Sequence, residues 1–143
     1  MGAVNIDTEL FELMFQVSKN FKEKMAGFAG AVDITMLQFM ALSFIEKNKS
    51  VHVKDVADYF SIEMPTATSL LNKLAKLKLI KRMEDRSDRR VVKITLTEKG
   101  AALLTDAKKI QKKNMKKTLS VLSEKQKVDM RDILTTILEK SHV

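Results

Sequence analysis

The sequence predicts a mainly α-helical fold with one small β-hairpin, and three observations carry that prediction. Apolar residues recur at three- and four-residue spacing along most of the chain. Only 4 Gly and 1 Pro interrupt it. One stretch, residues 79–96, changes to two short β-rich runs around a charged loop. With 143 residues, 45% apolar and 31% charged, the chain fits one domain with one core rather than a disordered or fibrous protein.

The first helix is expected from residue 7 to about 25, where Leu10, Phe11, Met14, Phe15, Val17 and Phe21 form a wide apolar face and Asp7 is placed to cap the first turn. Gly27 and Gly30 should end it. Thr35 and Gln38 form a T-x-x-Q capping box, with Ile34 and Phe39 as a hydrophobic staple, opening a second helix to about Lys47. Val51-His52-Val53 is a β-like triplet that leads into a short helix at 54–60, where Val56, Ala57 and Phe60 make the apolar edge and a turn at Ser61 and Ile62 follows. Pro65 is tolerated in a first turn, so the next helix should start near Glu63-Met64-Pro65 and reach about Lys78. Strands are expected at 79–84 and 91–96, with Asp85-Arg86-Ser87-Asp88-Arg89-Arg90 between them as a projecting basic tip. Thr97 caps a long helix to about Thr118, and Ser123 with Gln126 forms a second capping box before a last helix to about Ser141.

Composition excludes several kinds of chemistry. Without Cys there is no disulfide, thiolate metal site or thiol switch, and two distant His offer neither a zinc set nor a general base with a nucleophile. An enzyme is the poorest fit, and neither cofactor nor metal is expected. Asp7, Glu9 and Glu12 precede the first basic residue, Lys19, reversing the charge order of a secretory leader. The longest uncharged apolar run, 34–45, is too short to span a bilayer. The expectation is a cytoplasmic protein with no membrane partner.

The charge is uneven. Residues before Asn72 carry 6 basic and 9 acidic groups, and the remainder carries 20 and 9. Between Lys73 and Lys99, ten basic residues face four acidic ones, an electrostatic footprint for phosphates. On a helical wheel of 65–77, Ala67, Leu70, Leu71, Leu74 and Leu77 share one side, and Pro65, Thr68, Ser69, Asn72 and Lys76, flanked by Thr66 and Lys73, share the other. Hydroxyls, an amide and amines suit the major groove of double-stranded DNA. A solvent-facing helix side usually includes Glu for i,i+4 pairing, and none occurs between Met64 and Arg82. In the loop, Asp88 stands two residues before Arg90, a spacing that lets a carboxylate hold a guanidinium extended towards a minor groove, with Arg86 and Arg89 flanking it. Two helices joined by a short turn and followed by such a hairpin constitute a winged helix-turn-helix, with the lobe at residues 34–98.

At this point the chain resembles the MarR family of transcriptional regulators. Three stretches carry the resemblance: Ile62-Glu63-Met64-Pro65-Thr66-Ala67-Thr68-Ser69-Leu70-Leu71-Asn72-Lys73-Leu74, Leu79-Ile80-Lys81-Arg82, and Asp88-Arg89-Arg90-Val91-Val92-Lys93-Ile94-Thr95-Leu96-Thr97-Glu98-Lys99-Gly100. The D-x-R wing followed by L-T-x-x-G is the most specific. The resemblance implies a homodimer whose N- and C-terminal helices, 7–28 and 99–141, intertwine and hold two winged lobes over one pseudo-palindromic operator. By position, Asn72 and Lys73 match recognition-helix residues, and Asp88 and Arg90 match the wing pair. It also implies a small lipophilic or phenolic effector, for which Phe11, Met14, Phe15, Met36, Phe39, Met40 and Phe44 are candidate lining residues, although Met and Phe at helical spacing are more often core residues. Two positions depart from the family: Glu63 stands where Ser or Thr often caps, and Lys78, where Gly is common, implies a terminal turn that avoids the left-handed conformation.

The terminal segments independently favour a dimer, because Leu119, Leu122, Val128, Ile133, Leu134, Ile137 and Leu138, with Leu10, Phe11, Met14 and Phe21, give more apolar surface than one small chain can easily cover. Lys108, Lys109, Lys112, Lys113, Lys116 and Lys117 form a one-sided stripe that suits a solvated helix face or an auxiliary surface for DNA or an acidic partner. The function expected is sequence-specific transcriptional regulation, as a repressor. An architectural nucleic-acid-binding protein using the same lobe without sequence preference is the alternative, and a helical adaptor acting through the Lys stripe is a third.

Overall fold

The structure, a computed structural model, describes residues 2–141 and every side chain among them except those of 25–31. The chain forms two compact units, Met1–Lys108 and Lys109–Val143. His142, one of the two His, lies outside the described residues.

In the first unit, α1 (Ile6–Ala31) is longer than its sequence predicts. It is capped by Asn5 rather than Asp7: Asn5 Oδ1 accepts the Asp7 N–H at 2.9 Å, and the Asn5 carbonyl accepts the Glu9 N–H at 3.1 Å. The helix also continues through Gly27 and Gly30. An interior Gly costs only about 1 kcal/mol relative to Ala, and the Met and Ala residues around these two are strong helix formers. α2 (Met36–Asn48) opens on the expected capping box, with Gln38 N–H donating to Thr35 Oγ1 and Thr35 N–H to Gln38 Oε1. Ile34 and Phe39, the staple pair, are both buried.

The Val51-His52-Val53 triplet is divided between two structures. Val51 makes an isolated antiparallel bridge with Ile94, through hydrogen bonds of 3.0 and 2.8 Å. Val53 already belongs to α3 (Val53–Phe60), and His52 is its half-exposed cap. The reason is local: Asp55, three residues on, captures the His52 backbone N–H at 2.8 Å and starts a helix before a strand can extend. Ser61 ends α3 in the left-handed conformation, φ 52°.

α4 (Met64–Lys76) starts with Pro65 in its first turn, and Glu63 makes no side-chain capping bond. Its end corrects the expectation for Lys78, which does adopt the left-handed conformation, φ 61°. A paired C-terminal motif imposes it: Leu79 N–H reaches the Leu74 carbonyl at 3.0 Å and Lys78 N–H the Ala75 carbonyl at 2.9 Å, while Leu74 and Leu79 are both buried. These bonds and that apolar contact region outweigh the about 1–2 kcal/mol that a side chain costs there.

Strands β1 (Ile80–Glu84) and β2 (Val92–Leu96) pair antiparallel, from Ile80↔Leu96 to Glu84↔Val92. α5 (Glu98–Leu119) follows, capped by Thr97, whose Oγ1 accepts the Gly100 N–H at 3.0 Å. The same hydroxyl donates to the Lys78 carbonyl at 2.6 Å, and Lys99 Nζ donates to the Leu77 carbonyl at 3.1 Å, so the start of α5 ties down the end of α4. Gly100 explains the T-x-x-G pattern: a Cβ there would lie 2.0 Å from the Leu79 carbonyl oxygen. The core draws Leu42 and Ile45 from α2, Val56 from α3, Leu71 and Leu74 from α4, Leu79 and Ile94 from the hairpin, and Leu104 from α5. At about 1.5–3 kcal/mol per buried aliphatic side chain, these contacts position the polar face of α4.

The second unit contains the rest of α5 and α6 (Glu124–Lys140). Ser123 and Gln126 form the expected capping box. α6 buries no side chain. Glu124 in its first turn has its pKa lowered by the Lys127 ammonium, which donates to Oε1 at 2.9 Å.

Candidate nucleic-acid interface

Burial divides α4 as its helical wheel predicts. Ala67, Leu70, Leu71 and Leu74 are buried, whereas Pro65, Thr66, Thr68, Ser69, Asn72, Lys73 and Lys76 are exposed. Leu77 departs from this division, being 39% exposed at the C-terminal cap. Pro65, Thr68, Ser69, Asn72, Lys73 and Lys76 line one open concavity of about 590 Å³. Thr66 falls in a neighbouring concavity of about 400 Å³, with Thr35 and Gln38 of the α2 cap.

The wing loop is ordered by its two aspartates. Asp88 Oδ1 accepts the Arg90 backbone N–H at 3.0 Å and Arg90 Nε at 3.2 Å, and Oδ2 accepts Nη2 at 3.5 Å. The Arg90 side chain is 91% exposed, so the ion pair itself adds little stability. Its effect is directional, restricting the rotamers of an arginine that keeps further donors free for a partner. Arg86 and Arg89 are exposed on the same loop.

Asp85 has a structural role in this loop. Its Oδ1 accepts the Ser87 hydroxyl at 2.6 Å and the Ser87 N–H at 2.9 Å, while Oδ2 lies 3.3 Å from His52 Nε2. The Ser87 hydroxyl, then the Ser87 N–H, then His52, with a further contribution from Lys93, lower the Asp85 carboxyl from 3.8 to about 2. His52 Nδ1 also lies 3.4 Å from Asp55 Oδ2, so one imidazole links the base of the wing to α3.

Sequence reasoning missed Arg82. Its Nη2 donates to Asn72 Oδ1 at 2.5 Å, joining β1 to the polar face of α4. Strand alternation held the signal: Arg82 lies two residues from buried Ile80, on the same side of β1.

Of the candidate ligand-lining residues, Phe39, Met40 and Phe44 share a groove of about 430 Å³ with Ser43, Lys47 and Tyr59. Phe44 and Tyr59 stack with ring centroids 4.3 Å apart. Phe11, Met14 and Phe15 are exposed on α1, and Met36 lies at the start of α2. Among the described residues, no cluster of His, Asp or Glu could hold a metal, and no helix is long and apolar enough to cross a membrane.

A core-backed helix with an exposed polar face, followed by a basic hairpin bonded to that face, defines a winged helix-turn-helix protein. A sequence profile of the MarR family matches residues 32–91. The transcriptional regulator SarZ of Staphylococcus haemolyticus is 29% identical over 83% of this chain and 73% of its own length. A MarR mutant from E. coli, solved in complex with operator DNA, superposes with a TM-score of 0.84 over 96% of this chain and 99% of its own, at 19% identity. A MepR mutant from S. aureus is 28% identical, with a TM-score of 0.74 over 90% of this chain and 95% of its own. Over its winged lobe the chain is similar to the MarR family of transcriptional regulators, and the relatives it matches are regulators rather than enzymes.

Proposed function

We propose that this protein is a homodimeric, sequence-specific repressor, acting in the cytoplasm on a pseudo-palindromic operator. α4 enters the major groove through Pro65, Thr66, Thr68, Ser69, Asn72, Lys73 and Lys76. The wing, with Asp88 holding Arg90 and with Arg86 and Arg89 beside it, follows the adjacent minor groove. The observation that carries this reading is the exposed face of α4, free of acidic groups and bonded through Arg82 to the strand that leads to the arginine tip. The dimer is supported by exposed apolar residues on both terminal helices, including Leu10, Phe11 and Met14 on α1 and Ile133, Ile137 and Leu138 on α6.

Selection of bound duplexes from a random pool tests the reading. An enriched inverted repeat, with half-site centres about 10–10.5 bp apart, is expected. A steep salt dependence with less than about tenfold discrimination among sequences would favour the non-specific architectural alternative instead. Arg90→Ala should weaken operator binding without altering the folded state.

The groove at Phe39, Met40, Phe44 and Tyr59 supports a small aromatic effector, since an aromatic ligand could add to the Phe44–Tyr59 stack beside the Lys47 ammonium. Operator release by such a ligand should be lost in Tyr59→Ala while operator affinity is retained.

A further inference from the structure

We propose that Arg82 is a specificity-determining positioning residue, which sets the orientation of the Asn72 amide and so the hydrogen-bonding order that α4 offers to a base edge. The proposal rests on the operator-binding reading above and assigns a role to a residue outside the recognition helix and the wing tip.

The argument starts from the amide. An exposed Asn side chain can rotate by half a turn, exchanging a carbonyl acceptor for an NH₂ donor. In a major groove the two orientations read different edges: the order of donor and acceptor distinguishes one base from another. Asn72 is exposed on α4, and its helix backbone does not choose between the orientations. Arg82 does choose, because a guanidinium carries donors only. Its Nη2 meets Oδ1 at 2.5 Å, and the rotated amide would set NH₂ against N–H. The Asn72 NH₂ is thereby directed away from Arg82, and Oδ1 retains one lone pair for a base donor.

Arg82 is suited to this task by its surroundings. The pairing Arg82↔Ile94, with Ile94 and Ile80 buried, holds its backbone against the lobe. Among the described residues it pairs with no carboxylate, Glu84 on the same side of β1 included. Lys81 and Lys93, its neighbours in the hairpin, are cations and cannot replace Asn72 as its acceptor.

Binding of the full-length protein to a duplex panel carrying all four base pairs at each half-site position tests the proposal. The position read by Asn72 is the one at which Asn72→Ala reduces discrimination. Arg82→Ala should reduce discrimination at that same position by about fivefold or more, the scale of one well-placed base contact. In the Asn72→Ala background it should cause no further loss there, and Arg82→Lys, which keeps a donor, should restore part of the preference. Circular dichroism and the Asn72 side-chain NH₂ resonances in DNA-free protein separate folding from orientation: Arg82→Ala should shift those resonances while the helix signal is retained. Uniform weakening across all sequences, with discrimination at the Asn72 position intact, would overturn the proposal and make Arg82 a backbone contact. Unshifted amide resonances would also overturn it. Wild-type protein with no base preference at any position would overturn the operator reading itself, an outcome distinct from a preference that survives Arg82→Ala.

Discussion

The winged lobe and the terminal helices follow the same amphipathic rule and reach opposite ends. Every buried apolar side chain among those described lies between Ile34 and Ala107, and α6 buries none. Leu10, Phe11, Met14 and Phe15 on α1 and Ile133, Leu134, Ile137 and Leu138 on α6 are all exposed. Leu71 and Leu138 are the same residue type on helices with similar periodicity, yet one is fully buried and the other 64% exposed. An apolar stripe therefore reports that a helix has a surface to cover, and does not report whether the cover lies within the same chain.

The largest expected effect bears on the lobe. Gly100→Ala puts a methyl 2.0 Å from the Leu79 carbonyl oxygen, a backbone clash that no rotamer can relieve. A loss of about 3 kcal/mol or more is expected, read as a lower urea midpoint. Next, Leu71→Ala should cost about 2–5 kcal/mol at every protein concentration, because it opens a cavity in a closed core. Leu138→Ser should change the stability of dilute protein by no more than about 0.5 kcal/mol and act instead on self-association, measured by sedimentation. Equal, concentration-independent losses from the two substitutions would break the comparison.

A third effect lies within the wing. The Asp85 pKa is depressed, so its contribution to stability is present above the ordinary value of 3.8 and is lost as pH falls from there to about 2. Ser87→Ala should raise this pKa, as followed by carboxylate NMR titration. The stability difference from wild type should be largest above pH 4 and vanish towards pH 2. A pKa unchanged by Ser87→Ala would show that His52 and Lys93 suffice. The smallest effect is at the end of α4, where Lys78→Gly should stabilise by at most about 1 kcal/mol, since Gly adopts φ 61° without a Cβ penalty but loses more freedom on folding.

Much of the lobe is legible because its signals are local. Both capping boxes, the Thr97 cap and the Asp88–Arg90 pair involve residues a few positions apart, so their partners are present in the local sequence. Where a second segment takes part, legibility ends. Lys78 is left-handed because the turn it occupies is held by buried Leu74 and Leu79 and by Thr97. Asp85 resembles charge dilution until His52, 33 positions earlier, is brought beside it.

The sequence alone determined the order of elements, the polar composition of one helix face, the arginine tip and the chemistry that chain-local hydrogen bonds complete. Only the tertiary structure decided that Arg82 meets Asn72, that His52 reaches the wing, and that a side chain at position 100 would strike the Leu79 carbonyl. The physical reason is that periodicity sets which side of an element a residue occupies, whereas the neighbour it finds there depends on how separate elements pack.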